Sequence, residues 1–201
     1  MNLFACIDWN AVAAMLSAVA ALGVAIAAWK ARGTFEEWRE KELFLDNRKV
    51  AIDILATFYK SRDAFDQIRS PMSFGYETER AKAMLEKGKT PEDAGNSSVR
   101  QAQIILNRLS DHNDLWDRLY ELMPLAQAQF GDDVKKGLQQ ILRIRGQIVS
   151  AAHRYPDRDN ESRREITDVI WYTGGEHRED ALNQDLDKAC SSLEASLKKY
   201  L

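Results

Sequence analysis

The chain has 201 residues, 45% of them hydrophobic and 29% charged, with a formal net charge of -3. That is enough for one membrane element plus one domain of ordinary size, and the mildly acidic balance gives no support to general nucleic-acid binding. Two cysteines, Cys6 and Cys190, are too few for a disulfide framework.

Taken in chain order, the elements begin with a stretch unlike the rest. The first 29 residues carry one charged side chain, Asp8. Residues 9–29 are 21 uncharged positions with a tryptophan at each end, Trp9 and Trp29. At about 1.5 Å of rise per residue, this length matches a hydrocarbon core of roughly 30 Å. The two indoles then fall at the interfaces, where such rings are favoured. A buried core helix rarely runs this long without a charge. A secretory signal needs a positive leading region, and Met1 to Asp8 contains no Lys or Arg; Ala25-Ile26-Ala27 could pass as a cleavage motif, but small residues recur throughout. The expectation is a tail over residues 1–8 and a transmembrane helix over 9–29.

The flanks set its direction. No Lys or Arg precedes the span, and Lys30, Arg32, Arg39, Lys41, Arg48 and Lys49 follow it. The positive-inside rule then puts the C-terminal side in the cytoplasm and the short tail outside. Trp9, Trp29, Lys30 and Arg32 are the expected membrane-interface residues. So placed, Cys6 and Cys190 lie on opposite sides of the bilayer and form no bridge. Nine of the 21 span residues are Ala. Small residues recur four apart, as Ala14 and Ala18, then Ser17, Ala21 and Ala25, then Gly23 and Ala27. This spacing lets two helix backbones approach closely in lipid; the plainer account is that alanine is tolerated filler.

Residues 30–201 read as a helical domain, with breaks at Pro71 to Gly75, Gly88 to Gly95, Pro124, Gly131, Pro156 and Gly174-Gly175. No two-residue alternation or hairpin signal appears. The first soluble helix is expected from about Thr34 to Arg69, either started by a Thr34-Phe35-Glu36-Glu37 capping box or continuous with the span. Val50, Ile54, Leu55, Phe58, Phe65 and Ile68 form its apolar stripe. A short amphipathic piece follows over Tyr76 to Glu86, then a loop over residues 88–98. A long helix is predicted from about Val99 to Met123, with Ile105, Leu109, Trp116, Leu119 and Leu122 or Met123 inward and Pro124 kinking or stopping it. Asp133 is placed to cap the next helix, to about Arg154, with Val134, Leu138, Ile141, Leu142, Ile148 and Val149 inward. Gly137 and Gly146 inside it suggest close packing. A shorter helix runs from about Glu161 to Tyr172 with Ile166, Val169 and Ile170. The last, from about His177 to Tyr200, carries Leu182, Leu186, Ala189, Leu193 and Leu197 at the alternating spacing of a bundle seam. Long helices joined by short breaks predict an antiparallel helical bundle, and the fold class is all-α.

Signals of chemistry are sparse. His112, His153 and His177 lack an acidic residue three positions before them, and neither HExxH nor paired-cysteine zinc spacing occurs. The densest polar cluster is Asp111-His112-Asn113-Asp114 with Asp117 a turn on. It could meet His153 in a two-helix metal site, but a solvated helix face is the better account. There is no Walker-type loop and no GxSxG elbow. Gly174-Gly175 reads as a break before a helix whose start is complemented by Glu176, Glu179 and Asp180. Cys190 reads as packed rather than nucleophilic. Arg143, Arg145, Arg154, Arg158, Arg163 and Arg164 crowd one region but are interleaved with Asp157, Asp159, Glu161 and Glu165, which neutralise them locally.

The stretch WKARGTFEEWREKELFLDNRKVAIDILATFYKSRDAFDQIRSP, residues 29–71, resembles a loose group of small bacterial proteins with one inner-membrane span and a helical cytoplasmic domain. It covers about a fifth of the chain and carries no catalytic motif. The resemblance implies a bacterial inner-membrane location and no functional residues. The resulting expectation is a non-enzymatic, membrane-tethered interaction or scaffold module. It has the lipid bilayer, further copies of itself and a protein bound through the bundle as partners, and no cofactor, metal or nucleic acid. The alternative is an oligomerising effector, of toxin or phage-defence type, that permeabilises the bilayer.

Overall fold

The computed structural model describes residues 9–88, 91–157, 166–171 and 180–201. Among the described residues every regular element is helical: α1 Trp9–Ile68, α2 Gly75–Lys87, α3 Ser97–Asp111, α4 Asn113–Phe130, α5 Asp132–Arg154 and α6 Ala181–Leu197. Residues 166–170 add a helical segment, and short 3-10 turns occupy Pro91–Gly95, Tyr155–Asp157 and Lys198–Tyr200. The all-α class and the helical bundle are as expected. Contacts divide the chain into two units that meet between Asn47 and Arg48.

The first unit is the amino-terminal part of α1. It contains the one helix stretch, among the described residues, that is long and apolar enough to cross a membrane. Its most apolar window has a mean hydropathy of 2.3 and none of it is buried. The helix does not restart at Thr34. The Thr34 hydroxyl donates back to the Lys30 carbonyl at 3.1 Å, so it sits inside the helix and caps nothing. A threonine four residues past a carbonyl has this alternative to capping.

The second unit, residues 48–201, has a continuous core. The face of α1 that carries Ile54, Phe58, Phe65 and Ile68 is fully buried. α5 packs on both α4 and α6, and α3 packs on α2 and α5. Phe65 stacks on Trp116 with ring centroids 5.4 Å apart. Leu182, Leu186, Ala189, Leu193 and Leu197 are all buried, as their spacing predicts.

The long helix predicted over Val99 to Met123 is in fact two. His112 leaves helical geometry at φ -106°, ψ 22°, and α3 ends while α4 begins. The run Ser110-Asp111-His112-Asn113-Asp114 is made of weak helix formers whose side chains compete for backbone partners. Trp116 uses the break: its indole Nε1 donates to the Leu109 carbonyl at 2.9 Å, and the ring is buried. Pro124 neither stops nor ends α4, which runs on to Phe130. Buried Leu122 and Ala126 on either side of it hold the helix in place, so packing overrides the missing backbone donor. The stop comes at Gly131, whose φ of +90° suits glycine alone among ordinary residues. Asp133 is not the cap of α5; it lies with Asp132 in the first turn, where a carboxylate favours the helix dipole.

Gly137 meets the expectation of close packing and Gly146 does not. A Cβ on Gly137 would lie 2.7 Å from the Leu193 side chain, whereas one on Gly146 would meet nothing within 4 Å. Asp180 caps α6, accepting from the backbone N–H groups of Leu182 at 3.0 Å and Asn183 at 3.3 Å. The expected contributions of Cys6, Arg158, Asp159, Glu161, Arg163, Arg164, Glu165, Gly174, Gly175, Glu176, His177 and Glu179 lie outside the described residues.

Candidate functional site

The residues expected to matter lie along the first unit. Trp9 is 74% exposed and Trp29 80%. Between them Ala14, Ser17, Ala18, Ala21, Gly23, Ala25 and Ala27 are all exposed as well. The Ser17 hydroxyl donates to the Ala13 carbonyl at 2.9 Å, which satisfies it within the helix. Arg32 pairs with Glu36 one turn on at 3.1 Å, and Lys30 receives the Thr34 hydroxyl on its carbonyl. The segment is thus a helix with an apolar surface, internally satisfied polar groups and basic residues at one end.

Within the second unit a cleft of about 660 Å³ lies between the end of α1, the following loop and the α3–α4 break. Asp66, Met72, Phe74, Tyr76, Asp111 and His112 are among its walls. The polar cluster noted around Asp111 reaches this surface depression through Asp111 and His112, and these two are engaged singly. Both oxygens of Asp111 accept from Arg80 at 2.8 Å, and the His112 ring lies edge-on to Trp116. Among the described residues no group of three or more His, Cys, Asp or Glu side chains is placed to hold a metal ion. Phe74 and Tyr76 stack on one another, 60% and 69% exposed. Such a wall can hold an apolar or aromatic surface, and beside it Asp66 has its carboxyl raised above the ordinary value, chiefly by burial.

Two arginines that periodicity did not single out organise this end of the unit. Arg108 forks onto Glu77, Nε to Oε1 at 2.7 Å and Nη2 to Oε2 at 2.9 Å. The same guanidinium donates to the carbonyls of Gln67, Ile68, Ser70 and Met72. It thereby satisfies orphan acceptors at the end of α1. Glu77 also accepts from the Phe74 N–H at 2.8 Å, which starts α2. The hydrogen bond from Arg108 is the chief cause that holds the Glu77 carboxyl below its ordinary value.

Arg69, with a side chain 2% exposed, pairs with Asp180 at 2.7 Å. It donates to the carbonyls of Val169 and Asp168 at 3.0 Å and to Asn183 Oδ1 at 3.2 Å. It therefore joins the end of α1 to the 166–170 segment and to the cap of α6. The available signal was local: each arginine sits at or faces a helix end beside a predicted break, where carbonyls need donors.

Cys190 is buried, and its thiol donates to Glu194 Oε1 at 3.3 Å. Burial, reinforced by that carboxylate, pushes the thiol up, which makes it a poorer nucleophile. Glu194 also takes the Tyr59 hydroxyl, whose ionisation that bond pushes to about 12.

With this geometry in view, comparison with known proteins finds no matching family model, no matching curated protein and no matching solved structure.

Proposed function

We propose that this chain is a membrane-tethered, non-catalytic helical module that self-associates and docks a protein partner at the cytoplasmic face of a bacterial inner membrane. The observation that carries this is the division of apolar surface. The unit from Arg48 onward closes its own core, while the most apolar stretch of α1 contributes nothing to any core. An apolar helix surface of this length in water would be a strong aggregation hazard; covered by lipid it is an anchor. The run of Lys and Arg after Trp29, with none before it, supports the cytoplasmic placement of the bundle. The cleft with its exposed Met72, Phe74 and Tyr76 supports contact with a protein surface over turnover of a substrate.

The test is crosslinking in native membranes followed by affinity purification and mass spectrometry. It compares the wild type with a variant carrying Met72→Ser, Phe74→Ser and Tyr76→Ser. The expected result is self-crosslinked species plus one stoichiometric partner that the triple variant loses. A chain that leaves the membrane fraction in carbonate would overturn the tether. Dye influx on expression with no partner bound would favour the membrane-permeabilising effector.

A further inference from the structure

α1 sorts its side chains by a seven-residue repeat, and the sorting does not stop where the apolar stretch ends. One row at sevens is Ser17, Val24, Ala31, Trp38 and Leu45. A second, three residues earlier in each repeat, is Ala14, Ala21, Ala28 and Phe35. Through the apolar stretch the positions flanking these rows are all alanine. The bulky side chains Met15, Leu16, Val19, Leu22, Ile26 and Trp29 fall on the opposite side. Two rows spaced alternately three and four apart, flanked by small residues, form the seam of a left-handed pair of helices. Beyond Trp29 the seam turns aromatic and aliphatic, and it is bare: Phe35 is 61% exposed, Trp38 57% and Leu45 49%. The helix is unbroken throughout.

We propose that α1 pairs with α1 of a second copy as a parallel, in-register coiled coil. Its seam leaves the bilayer and continues through Phe35, Trp38 and Leu45. This rests on the tethered, self-associating reading above. Two copies inserted with the same orientation must run parallel, so residues of the same number face one another.

Lipid does not compete for this surface. With Trp29 at the hydrocarbon edge, Trp38 lies about 13 Å and Leu45 about 24 Å further along the helix. The headgroup layer is only about 5–8 Å deep on each side. A second copy also brings complementary charge to the edge of the seam. In a parallel pair Lys41 of one helix faces Asp46 of the other across the seam's edge. Glu42 falls in the seam itself, opposite its own copy and beside the partner helix's Lys41. It weakens the contact locally and makes pairing sensitive to that one charge. Leu43 and Phe44 lie off the seam.

The test uses the full-length chain in native membranes, with Cys6→Ser and Cys190→Ala as background and single cysteines introduced at exposed positions. Oxidation should crosslink Ala21→Cys, Trp38→Cys and Leu45→Cys at least five-fold more than Glu40→Cys and Phe44→Cys. Adding Glu42→Leu should raise the crosslinked fraction at position 45 about two-fold or more. If Ala21→Cys crosslinks while positions 38 and 45 match the controls, the extended seam is overturned and self-association within the bilayer stands. If 38 and 45 are in addition slow toward a water-soluble maleimide, membrane covers them instead. If no position crosslinks, both readings fall. Equal crosslinking everywhere means random collision and overturns the seam.

Discussion

Arg108 shows how much of this molecule hangs on single charged side chains. Its guanidinium neutralises Glu77, with side chains only 11% and 13% exposed, and donates to four carbonyls in and just after the last turn of α1. Replacing it with methionine keeps the bulk but strands a partly buried carboxylate and several acceptors. Breaking a fully buried pair from one side costs about 3–5 kcal/mol, and this partly buried one less than that. Arg108→Met in detergent-solubilised protein should therefore melt well below the wild type. The pH dependence has a definite sign. Glu77 is held below its ordinary value of 4.5, so its contribution is fully present above that pH. It is lost as pH falls through the lowered value in the folded state. The wild type should lose stability over that acid range, and Arg108→Met should show a flatter dependence there. A variant as stable as the wild type, with the same acid profile, would contradict this role. Hydropathy periodicity does not reveal such an arginine, because it reports which face is buried and says nothing of where a long polar side chain ends.

At the scale of elements, apolar spacing located the packed faces and failed at the ends. The seam of α6 and the stripe of α1 are buried where their spacing puts them. The two departures have opposite causes: at Pro124 the packing of Leu122 and Ala126 outweighs a local cost of about 3 kcal/mol, whereas at His112 a run of weak helix formers breaks a helix that apolar spacing alone would continue. The two glycines of α5 turn this into a measurement. Gly146 is exposed with open space around it, so Gly146→Ala should gain the helix propensity alone, about 0.5–1 kcal/mol. Gly137→Ala gains the same propensity, but its new methyl group would press on the Leu193 side chain, which is itself 1% exposed in the core. Overpacking of this kind costs about 1–3 kcal/mol, so the net change should be destabilising by roughly 1 kcal/mol. Melting temperatures of the two variants should move in opposite directions. A rise in both would mean that Leu193 can give way and that α5 and α6 are not held as closely as the geometry implies.

For the whole molecule, the decisive feature is that one chain contains a folding unit and a helix segment that does no folding work. The contrast between the first 29 residues and the rest was legible because it is compositional: charge disappears and then returns. The cleft was not legible, because it is built from residues 66–77 and 108–112, distant in sequence and joined by the polar bonds of Arg108 to Glu77 and to the carbonyls at the end of α1. With the chain divided in this way, a fragment from Arg48 to Leu201 needs nothing upstream to close its core. It should stay in the soluble fraction without detergent and unfold in one cooperative transition. At about 0.7 kcal/mol per residue near 60 °C, its 154 residues set a calorimetric enthalpy of roughly 100 kcal/mol. The complementary piece, residues 1–47 fused to a soluble reporter, should carry the reporter into the membrane fraction with the reporter on the cytoplasmic side, protease-sensitive only in inverted vesicles. The two results depend on different physics, core closure in one and lipid partition in the other, and each can fail alone. A fragment that aggregates or melts without a transition would mean that residues upstream of Arg48 cover part of the bundle, which removes the surface argument for an anchor. A well-folded fragment with a reporter that stays soluble would leave the bundle intact and send the apolar segment in search of a protein, rather than a bilayer, to cover it.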